Sequence, residues 1–300
     1  YQDFDLCALW FLHVGAPAGF KPFVVIGRDA AGSPAFVWPL VRKPVGGCQV
    51  ASFFCGRHAN FGTTLWRADF ARSVTQEDVR AILQRVAEGV YFVQGDNTVS
   101  SALNQGFVSN AGVVVTDGGV LVVDALGTPA LARRLIEEVA KITPQPIRYV
   151  VVTHYHADHI YGLQAFKAIG ARIVGHVGAR DYLGSDTARL RLQASRDELF
   201  PWVDETTRVV EPGQWIDGDI TLRLGSTTVH VRHVGPAHTP EDLVVVLPDH
   251  GLVFAGDLVF RGRIPFVGHA DSRRWIASLE KLIAEQPKLV VPGHGAPTSD

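Results

Sequence analysis

Residues 153–159, Thr-His-Tyr-His-Ala-Asp-His, constrain this chain more than any other stretch. Three histidines and an aspartate fall within six residues, directly after the largely apolar run 147–152. A strand that ends in such a cluster points several metal-binding groups out of one sheet edge. Neutral imidazole nitrogen and carboxylate oxygen are ligands that Zn²⁺ prefers. The alternative is a polar loop that is merely rich in histidine, and 12 histidines in 300 residues argue against a chance assembly.

The composition is that of a folded protein. With 300 residues, 47% of them hydrophobic and 19% charged, the chain can form one large domain or two smaller ones. A net charge of −2 without a long basic run argues against a nucleic-acid partner. No apolar run approaches the ~20 residues of a membrane span. The oligomeric state stays open.

Cysteine and methionine usage bears on the compartment. Cys7, Cys48 and Cys55 form no CxxC motif, so we read them as free thiols, with pairing of Cys48 and Cys55 left open. The chain has no methionine and shows no signal peptide, so it can be a mature or partial chain. Cytoplasm and bacterial periplasm both stay open as its location.

A change of pattern predicts two domains. Residues 1–80 contain short strands separated by turn-rich segments, which predicts a small N-terminal α+β appendage with an antiparallel meander. A helix is predicted from Thr75 through Val86, and we place the boundary within residues 70–88. The larger domain is predicted to span residues 88–300.

In the larger domain, strands alternate with helices, which predicts an α/β fold. Thr128 and Pro129 mark a helix start, and residues 161–169 and 272–285 have helical spacing. Residues 106–108 are predicted as a strand. Residues 177–205, rich in arginine, leucine and aspartate, are predicted as a helical insertion.

Further metal-binding side chains follow predicted strands. His238 comes after residues 229–234, Asp257 after residues 252–255 and His294 after residues 289–291. Strand ends that converge on one sheet edge can place these groups in a single pocket with the first cluster. Flanking glycines allow the backbone to approach an ion closely.

The order HxHxDH…H…D…H resembles the metallo-β-lactamase fold superfamily over about residues 88–300. The resemblance implies an αβ/βα sandwich with metals at one edge. It also implies one ion held by His154, His156 and His238. A second ion would be held by Asp158, His159 and His294, with Asp257 bridging the two. Independently, two adjacent metals can share a hydroxide that Asp158 orients as the catalytic residue.

Asp257 refines this resemblance. Several β-lactamases of this pattern carry Cys or Ser at this position. The aspartate of this chain resembles instead the residue found in thioesterases, lactonases and phosphodiesterases of the superfamily. The short chain after His294 argues against a glyoxalase II activity. Residues 153–162, 200–206 and 256–268 resemble the quinoprotein relay system zinc metallohydrolases, related to sulfur-oxidation proteins of the SoxH type.

The N-terminal segment has a resemblance of its own. Residues 22–29, 36–42 and 58–62 resemble the N-terminal half of acetyltransferases implicated in cellulose biosynthesis. The acetyl-CoA-binding half has no counterpart in the sequence. We therefore expect a non-catalytic appendage without acetyltransferase activity.

The leading hypothesis is a dinuclear zinc hydrolase that acts on a small-molecule substrate. It would use a metal-bound hydroxide on an ester, thioester, lactone or amide bond, a β-lactam included. The alternatives are a mononuclear Fe²⁺ enzyme similar to persulfide dioxygenases, and a non-enzymatic metal-binding partner module. Substrate-binding residues stay unknown. Side chains that either line the pocket or have ordinary structural roles are Tyr161, His176, Trp202, Arg261, Arg263, Phe266 and His269.

Overall fold

The computed structural model describes residues 21–28, 34–45, 48–53, 65–66 and 83–299. The chain divides into two compact units, Tyr1–Asp78 and Val79–Asp300. Cys7 and Cys55 lie outside the described residues, as does most of the helix expected from Thr75.

The described part of the first unit is an antiparallel sheet. Its strands are β1 (Lys21–Arg28), β2 (Pro34–Val45), β3 (Cys48–Phe53) and β4 (Leu65–Trp66). The order is β1-β2-β3, and β4 pairs with β2. The predicted antiparallel meander is therefore confirmed, whereas the acetyltransferase resemblance stays a prediction.

The second unit begins with a seven-stranded sheet of order β11-β10-β9-β8-β7-β6-β5. Pairing is antiparallel from β5 to β8 and parallel from β8 to β11. The strands are β5 (Leu83–Ala87), β6 (Val90–Val93), β7 (Ala111–Thr116), β8 (Gly119–Val123), β9 (Ile147–Val151), β10 (Arg172–His176) and β11 (Gln214–Ile216).

A second sheet of the same unit has five strands in sequential order. Its pairs are antiparallel except the last, which is parallel because a helix connects its two strands. The strands are β12 (Ile220–Leu224), β13 (Thr227–His233), β14 (Leu243–Leu247), β15 (Leu252–Phe260) and β16 (Leu289–His294).

Helices connect the strands and cover the sheets. The first begins where sequence predicted, because Pro129 occupies the first turn and Thr128 Oγ1 accepts a hydrogen bond from Leu131 N at 3.2 Å. The helices are α1 (Pro129–Ile142), α2 (Ala157–Ile160), α3 (Leu163–Ala168), α4 (Arg180–Leu183), α5 (Asp186–Glu198) and α6 (Ser272–Ala284). Short 3₁₀ turns occupy Val177–Ala179 and Pro248–His250.

Three apolar clusters define the layers of this unit. One, which contains Leu135 and Phe166, packs α1 and α3 against the seven-stranded sheet. The second, with Leu121 and Phe254, lies between the two sheets. The third, with Leu282, packs α6 on the five-stranded sheet. This is the predicted αβ/βα sandwich. No helix among the described residues is long and apolar enough to span a membrane.

Two local predictions are wrong. Residues 83–86 were expected in a helix but belong to β5, because the antiparallel ladder with β6 satisfies their backbone groups in an extended form. Residues 106–108 form no strand, because Gln105 (φ 59°) and Gly106 (φ 68°) turn the chain through the left-handed region.

Candidate metal centre

The first cluster lies at the end of β9. This strand stops at Val151, and α2 begins at Ala157. His154 and His156 therefore lie in the connecting loop, whereas Asp158 and His159 occupy the short helix. The carboxyl end of the strand thus projects all four side chains to one edge of the seven-stranded sheet.

The remaining three donors come from the five-stranded sheet. His238 lies in the loop between β13 and β14, and His294 ends β16. Asp257 lies within β15, which continues to Phe260 and is longer than the sequence predicted. The register with β16 shifts between Phe254 and Gly256, a bulge that redirects the strand next to Asp257.

Gly256 allows the two sheets to approach each other at the site. Its φ is +52°, a left-handed conformation, and a Cβ atom there would lie 2.7 Å from Thr153 Cβ. Only glycine meets both conditions without strain. The bulge therefore brings Asp257 next to the histidines that follow β9.

The seven donors form two groups whose ligand atoms lie within 4.8 Å of one another. The first group comprises His154, His156, His238 and Asp257, and the second comprises Asp158, His159 and His294. Each group combines residues from both sheets.

In the first group the donor atoms are almost in contact. His238 Nε2 lies 2.8 Å from His156 Nδ1 and 3.2 Å from Asp257 Oδ2. His154 Nε2 is 3.6 Å from the same carboxylate oxygen. Three imidazole nitrogens and one carboxylate oxygen thus converge on one point.

The second group converges similarly, and Asp257 reaches it as well. His294 Nε2 and His159 Nε2 lie 3.4 Å and 3.7 Å from Asp158 Oδ2. Asp257 Oδ1 is 3.2 Å from His159 Nε2, and its Oδ2 is 3.3 Å from His294 Nε2. One carboxylate therefore contacts histidines of both groups.

Buried donor atoms without partners indicate that this cluster fits metal ions. His154 Nε2, His159 Nε2 and Asp257 Oδ1 are inaccessible to solvent and make no hydrogen bond. Buried polar atoms are nearly always satisfied in folded proteins, and unsatisfied ones incur a penalty. Imidazole nitrogens and carboxylate oxygens that converge unsatisfied match the ligand set of a zinc-type cation.

Asp124 orients one histidine of each group, although the sequence analysis missed it. Its carboxylate accepts hydrogen bonds from His159 Nδ1, Thr153 Oγ1 and Thr153 N, each at 2.8 Å. Because its hydroxyl proton goes to Asp124, Thr153 Oγ1 can accept from His154 Nδ1, 3.1 Å away. Both imidazoles then keep Nε2 available for a cation. The signal in the sequence was an aspartate directly after the buried strand β8.

The electrostatics divide the histidines into two classes. Burial, reinforced by His238, lowers the pKa of His156 to about 3. Burial and then His159 lower the pKa of His154 well below its usual value. Both rings are therefore neutral near pH 7, the form that binds metals.

The second group is shaped by its carboxylates. Burial opposes protonation of His159, but Asp257 and Asp124 outweigh it and raise the pKa of that ring well above its usual value. Burial would raise the pKa of Asp257, yet His159 and His294 hold it well below the usual range. Asp257 is therefore ionised whenever the protein is folded near neutral pH.

A cavity of about 410 Å³ opens over the two groups. Asp158, Asp257, His156 and His294 lie in its wall. The sequence left several side chains with either a pocket-lining or an ordinary structural role. Of these, Arg263, Phe266 and His269 line this cavity. His269 Nδ1 lies 3.2 Å from His156 Nε2.

The other candidates from the sequence lie elsewhere. Tyr161 is buried in the apolar cluster under α1 and α3. Trp202 Nε1 donates a hydrogen bond to Ala102 O at 2.8 Å, and Arg261 Nη1 donates to Pro297 O at 3.0 Å. His176 stacks on His233 with ring centroids 3.9 Å apart.

Comparison with known protein families identifies the family of this chain. The model of the Metallo-beta-lactamase superfamily matches residues 104–294, which contain both groups of donors. The chain belongs to the metallo-beta-lactamase superfamily. The narrower resemblance to quinoprotein relay system metallohydrolases is not tested by this match.

Relatives within this superfamily have different names. A "Metallo-beta-lactamase type 2" of Bacillus sp. (strain 170) is 31% identical over 192 residues, which are 62% of this chain and 66% of the relative. A "Linear primary-alkylsulfatase" of Pseudomonas sp. is 27% identical over 213 residues, 60% of this chain and 40% of the relative. The chain thus spans less than two thirds of the length of either relative.

Solved structures support the fold of this superfamily member. A metallo-beta-lactamase from Pontibacter korlensis has a TM-score of 0.57 at 22% identity, covering 72% of this chain and 92% of that one. The metallo-beta-lactamase FIM-1 from Pseudomonas aeruginosa, in a mono-zinc form, has a TM-score of 0.56 at 20% identity and covers 72% and 88%. At these identities the likeness concerns the fold alone.

Proposed function

We propose that this chain is a dinuclear zinc hydrolase that cleaves an ester, thioester, lactone or amide bond. The observation that carries the proposal is the pair of buried donor groups with unsatisfied nitrogen and oxygen atoms at the floor of an open cavity. His154, His156 and His238 would hold one ion, and Asp158, His159 and His294 the other. Asp257, in contact with both groups, would bridge them.

Zinc at such a cluster supplies a lowered pKa for water and polarisation of the bond to be cleaved. In hydrolysis the water oxygen bonds to the carbonyl carbon, the bond to the leaving atom breaks, and a proton moves from water to that atom. Asp158 is the residue suited to this transfer, because its carboxylate lines the cavity and its side chain is 24% exposed. It can orient the water, hold its proton and return it to the leaving group.

Asp257 is unsuited to proton transfer. It is 4% exposed, against 24% for Asp158, and its oxygens face histidines of both donor groups. Its role in the proposal is therefore to bind and space the two ions. The division of tasks between the two aspartates follows from their different burial.

Paired substitutions test the proposal. His156→Ala and Asp257→Ala should each reduce bound zinc, measured by elemental analysis, and sharply reduce turnover. The assay panel contains a chromogenic cephalosporin, an acyl-glutathione thioester, a homoserine lactone, a phosphodiester and, since one relative is named an alkylsulfatase, an alkyl sulfate. Full turnover in both variants would rule out metal-dependent hydrolysis by this site.

Metal analysis of protein isolated without added metal distinguishes the alternatives. Two zinc ions per chain support the proposal. One iron per chain, with oxygen uptake on a persulfide substrate, would favour a dioxygenase. Bound zinc without turnover of any member of the panel would favour a metal-binding partner module.

A further inference from the structure

The cavity above the metal groups is lined by both acidic and basic side chains. Its lining contains two carboxylates, Asp158 and Asp257, and both belong to the donor groups. Arg191 and Arg263 also line it. With the carboxylates engaged at the metal groups, the remaining charge that faces a substrate is positive.

One wall of this cavity is a single face of α5. Arg191, Ser195 and the residue after the helix, Leu199, line it at spacings of four residues. Residues four apart lie above one another on a helix, so these side chains form one stripe. The helical insertion that the sequence predicted, with no function assigned, is therefore a wall of the cavity.

Tyr182 lines the same cavity as Arg191. Burial raises the pKa of Tyr182, and the positive charge of Arg191 opposes that rise. Tyr182 lines the cavity and stacks on Tyr155, with ring centroids 3.9 Å apart. The cavity lining therefore contains an aromatic ring as well as the guanidinium.

Arg191 is available to an anionic ligand. Its only carboxylate partner among the described residues is Glu198, with Nη2 at 2.8 Å from Oε2 and Nη1 at 3.4 Å from Oε1. Both side chains are about half exposed, at 43% and 52%. Because water screens an exposed pair, a substrate anion can compete with Glu198 for the guanidinium.

The rim of the cavity is apolar. Val99 is 81% exposed and Phe266 is 55% exposed, and both line the cavity. Exposed apolar side chains that cluster at a cavity commonly mark a binding surface. A substrate with an apolar chain would cover them.

We propose that Arg191 on α5 is a specificity-determining residue that selects substrates with an anionic group on an apolar chain. The proposal rests on the hydrolase function proposed above and adds the class of substrate. The anionic group pairs with Arg191, the chain lies along Leu199 and Phe266, and the scissile bond lies over the metal groups.

Two chromogenic esters of equal chain length provide the test. 4-Nitrophenyl hexanoate is neutral, whereas mono-4-nitrophenyl adipate carries a carboxylate at the far end of the same six-carbon acyl chain. The zinc-loaded protein should prefer the adipate ester in kcat/KM by about tenfold, the factor expected for one charge-assisted hydrogen bond. Arg191→Gln should abolish this preference by lowering kcat/KM for the adipate ester towards that for the hexanoate ester.

Two further variants make the result specific. Arg189→Gln is the matched control, because Arg189 lies on the same helix, pairs with Asp186 and does not line the cavity. It should behave like the parent protein. Glu198→Gln frees Arg191 from its partner and should increase the preference for the adipate ester, a gain that a merely structural role of this pair would not produce.

A binding measurement separates this inference from the hydrolase proposal. Hexane-1-sulfonate, which has no hydrolysable bond, is titrated into each variant by calorimetry. Arg191→Gln should weaken binding about tenfold relative to Arg189→Gln, as for one lost charged hydrogen bond. Equal affinities of these two variants would overturn the role of Arg191, even if esters are hydrolysed. The expected difference without any turnover would retain the anion site and overturn only the hydrolase function.

Discussion

Replacement of Asp124 by asparagine probes how the metal groups are held in position. In the folded protein Asp124 Oδ2 accepts hydrogen bonds from His159 Nδ1 and Thr153 Oγ1, while Oδ1 accepts from Thr153 N. Asparagine is isosteric but has one oxygen fewer. If it keeps the contact with Thr153 N, its amide group faces two other donors and leaves His159 Nδ1 without an acceptor.

The magnitude follows from the bond that is lost. A hydrogen bond to a buried charged group contributes about 1.5–3 kcal/mol. Loss of an outer partner of a ligating histidine typically weakens metal affinity about 10–100-fold, or roughly 1.4–2.7 kcal/mol. We therefore expect Asp124→Asn to weaken the zinc affinity of the second group, which contains His159, by about 10–100-fold. The first group, reached only through Thr153, should be affected less.

Competition with a chromophoric zinc chelator measures both affinities. Asp204→Asn is the control, because Asp204 also accepts from the backbone N and the hydroxyl of one threonine, Thr206, but contacts no histidine among the described residues. It should bind zinc like the parent. If Asp124→Asn retains both affinities while its circular dichroism is unchanged, the orienting role of Asp124 is wrong.

Two stability predictions follow from buried positions near the site. Burial, and after it the charge of Asp242, raises the pKa of Glu241 to about 8, above its value of 4.5 in an unfolded chain. The folded state therefore holds this proton more tightly, and the free energy of unfolding falls as pH rises between these values. Glu241→Gln should therefore be almost neutral at pH 5 and stabilising at pH 9, by at most about 4–5 kcal/mol, in urea unfolding of the metal-free protein; an equal effect at both pH values would contradict it. Gly256→Ala should lower the melting temperature, since its Cβ would lie 2.7 Å from Thr153 Cβ at a positive φ, a cost of about 1–3 kcal/mol. Gly213→Ala, where no atom lies within 4 Å of the new Cβ, is the control; equal melting temperatures for the two variants would contradict the crowding at Gly256.

Local signals in the sequence predicted an α/β domain and the residues that gather at one edge of it, whereas the sandwich was implied by the family resemblance. The reason is that β9, β15 and β16 are apolar strands with polar side chains at or near their carboxyl ends. Parallel pairing brings the ends of β15 and β16 together, and β9 supplies its cluster from the other sheet. Thr128 and Pro129 marked the start of α1 by the same local logic.

Features that depend on tertiary packing could not be predicted. Asp124 looks like any aspartate after a strand until Thr153 and His159 are folded against it. Nothing in the sequence distinguishes Arg191 from Arg189. Only the packing of α5 against the rest of the domain places Arg191 in the cavity lining. Residues 83–87 have a spacing of apolar residues that is also compatible with a helix. Pairing with β6 makes them a strand instead.

Each donor group contains residues from both sheets, so metal binding and unfolding are linked. His154 and His159 follow a strand of one sheet, and Asp257 and His294 belong to strands of the other, so each bound ion would act as a cross-link between chain segments far apart in sequence. Metal binding to the folded state alone adds its free energy to that of the interlayer core. Removal of the ions would leave the apolar cluster around Leu121 and Phe254 to hold the sheets together. Separation of the sheets and loss of metal would therefore be one coupled event, and the metal content of the solution would set how often the sandwich opens.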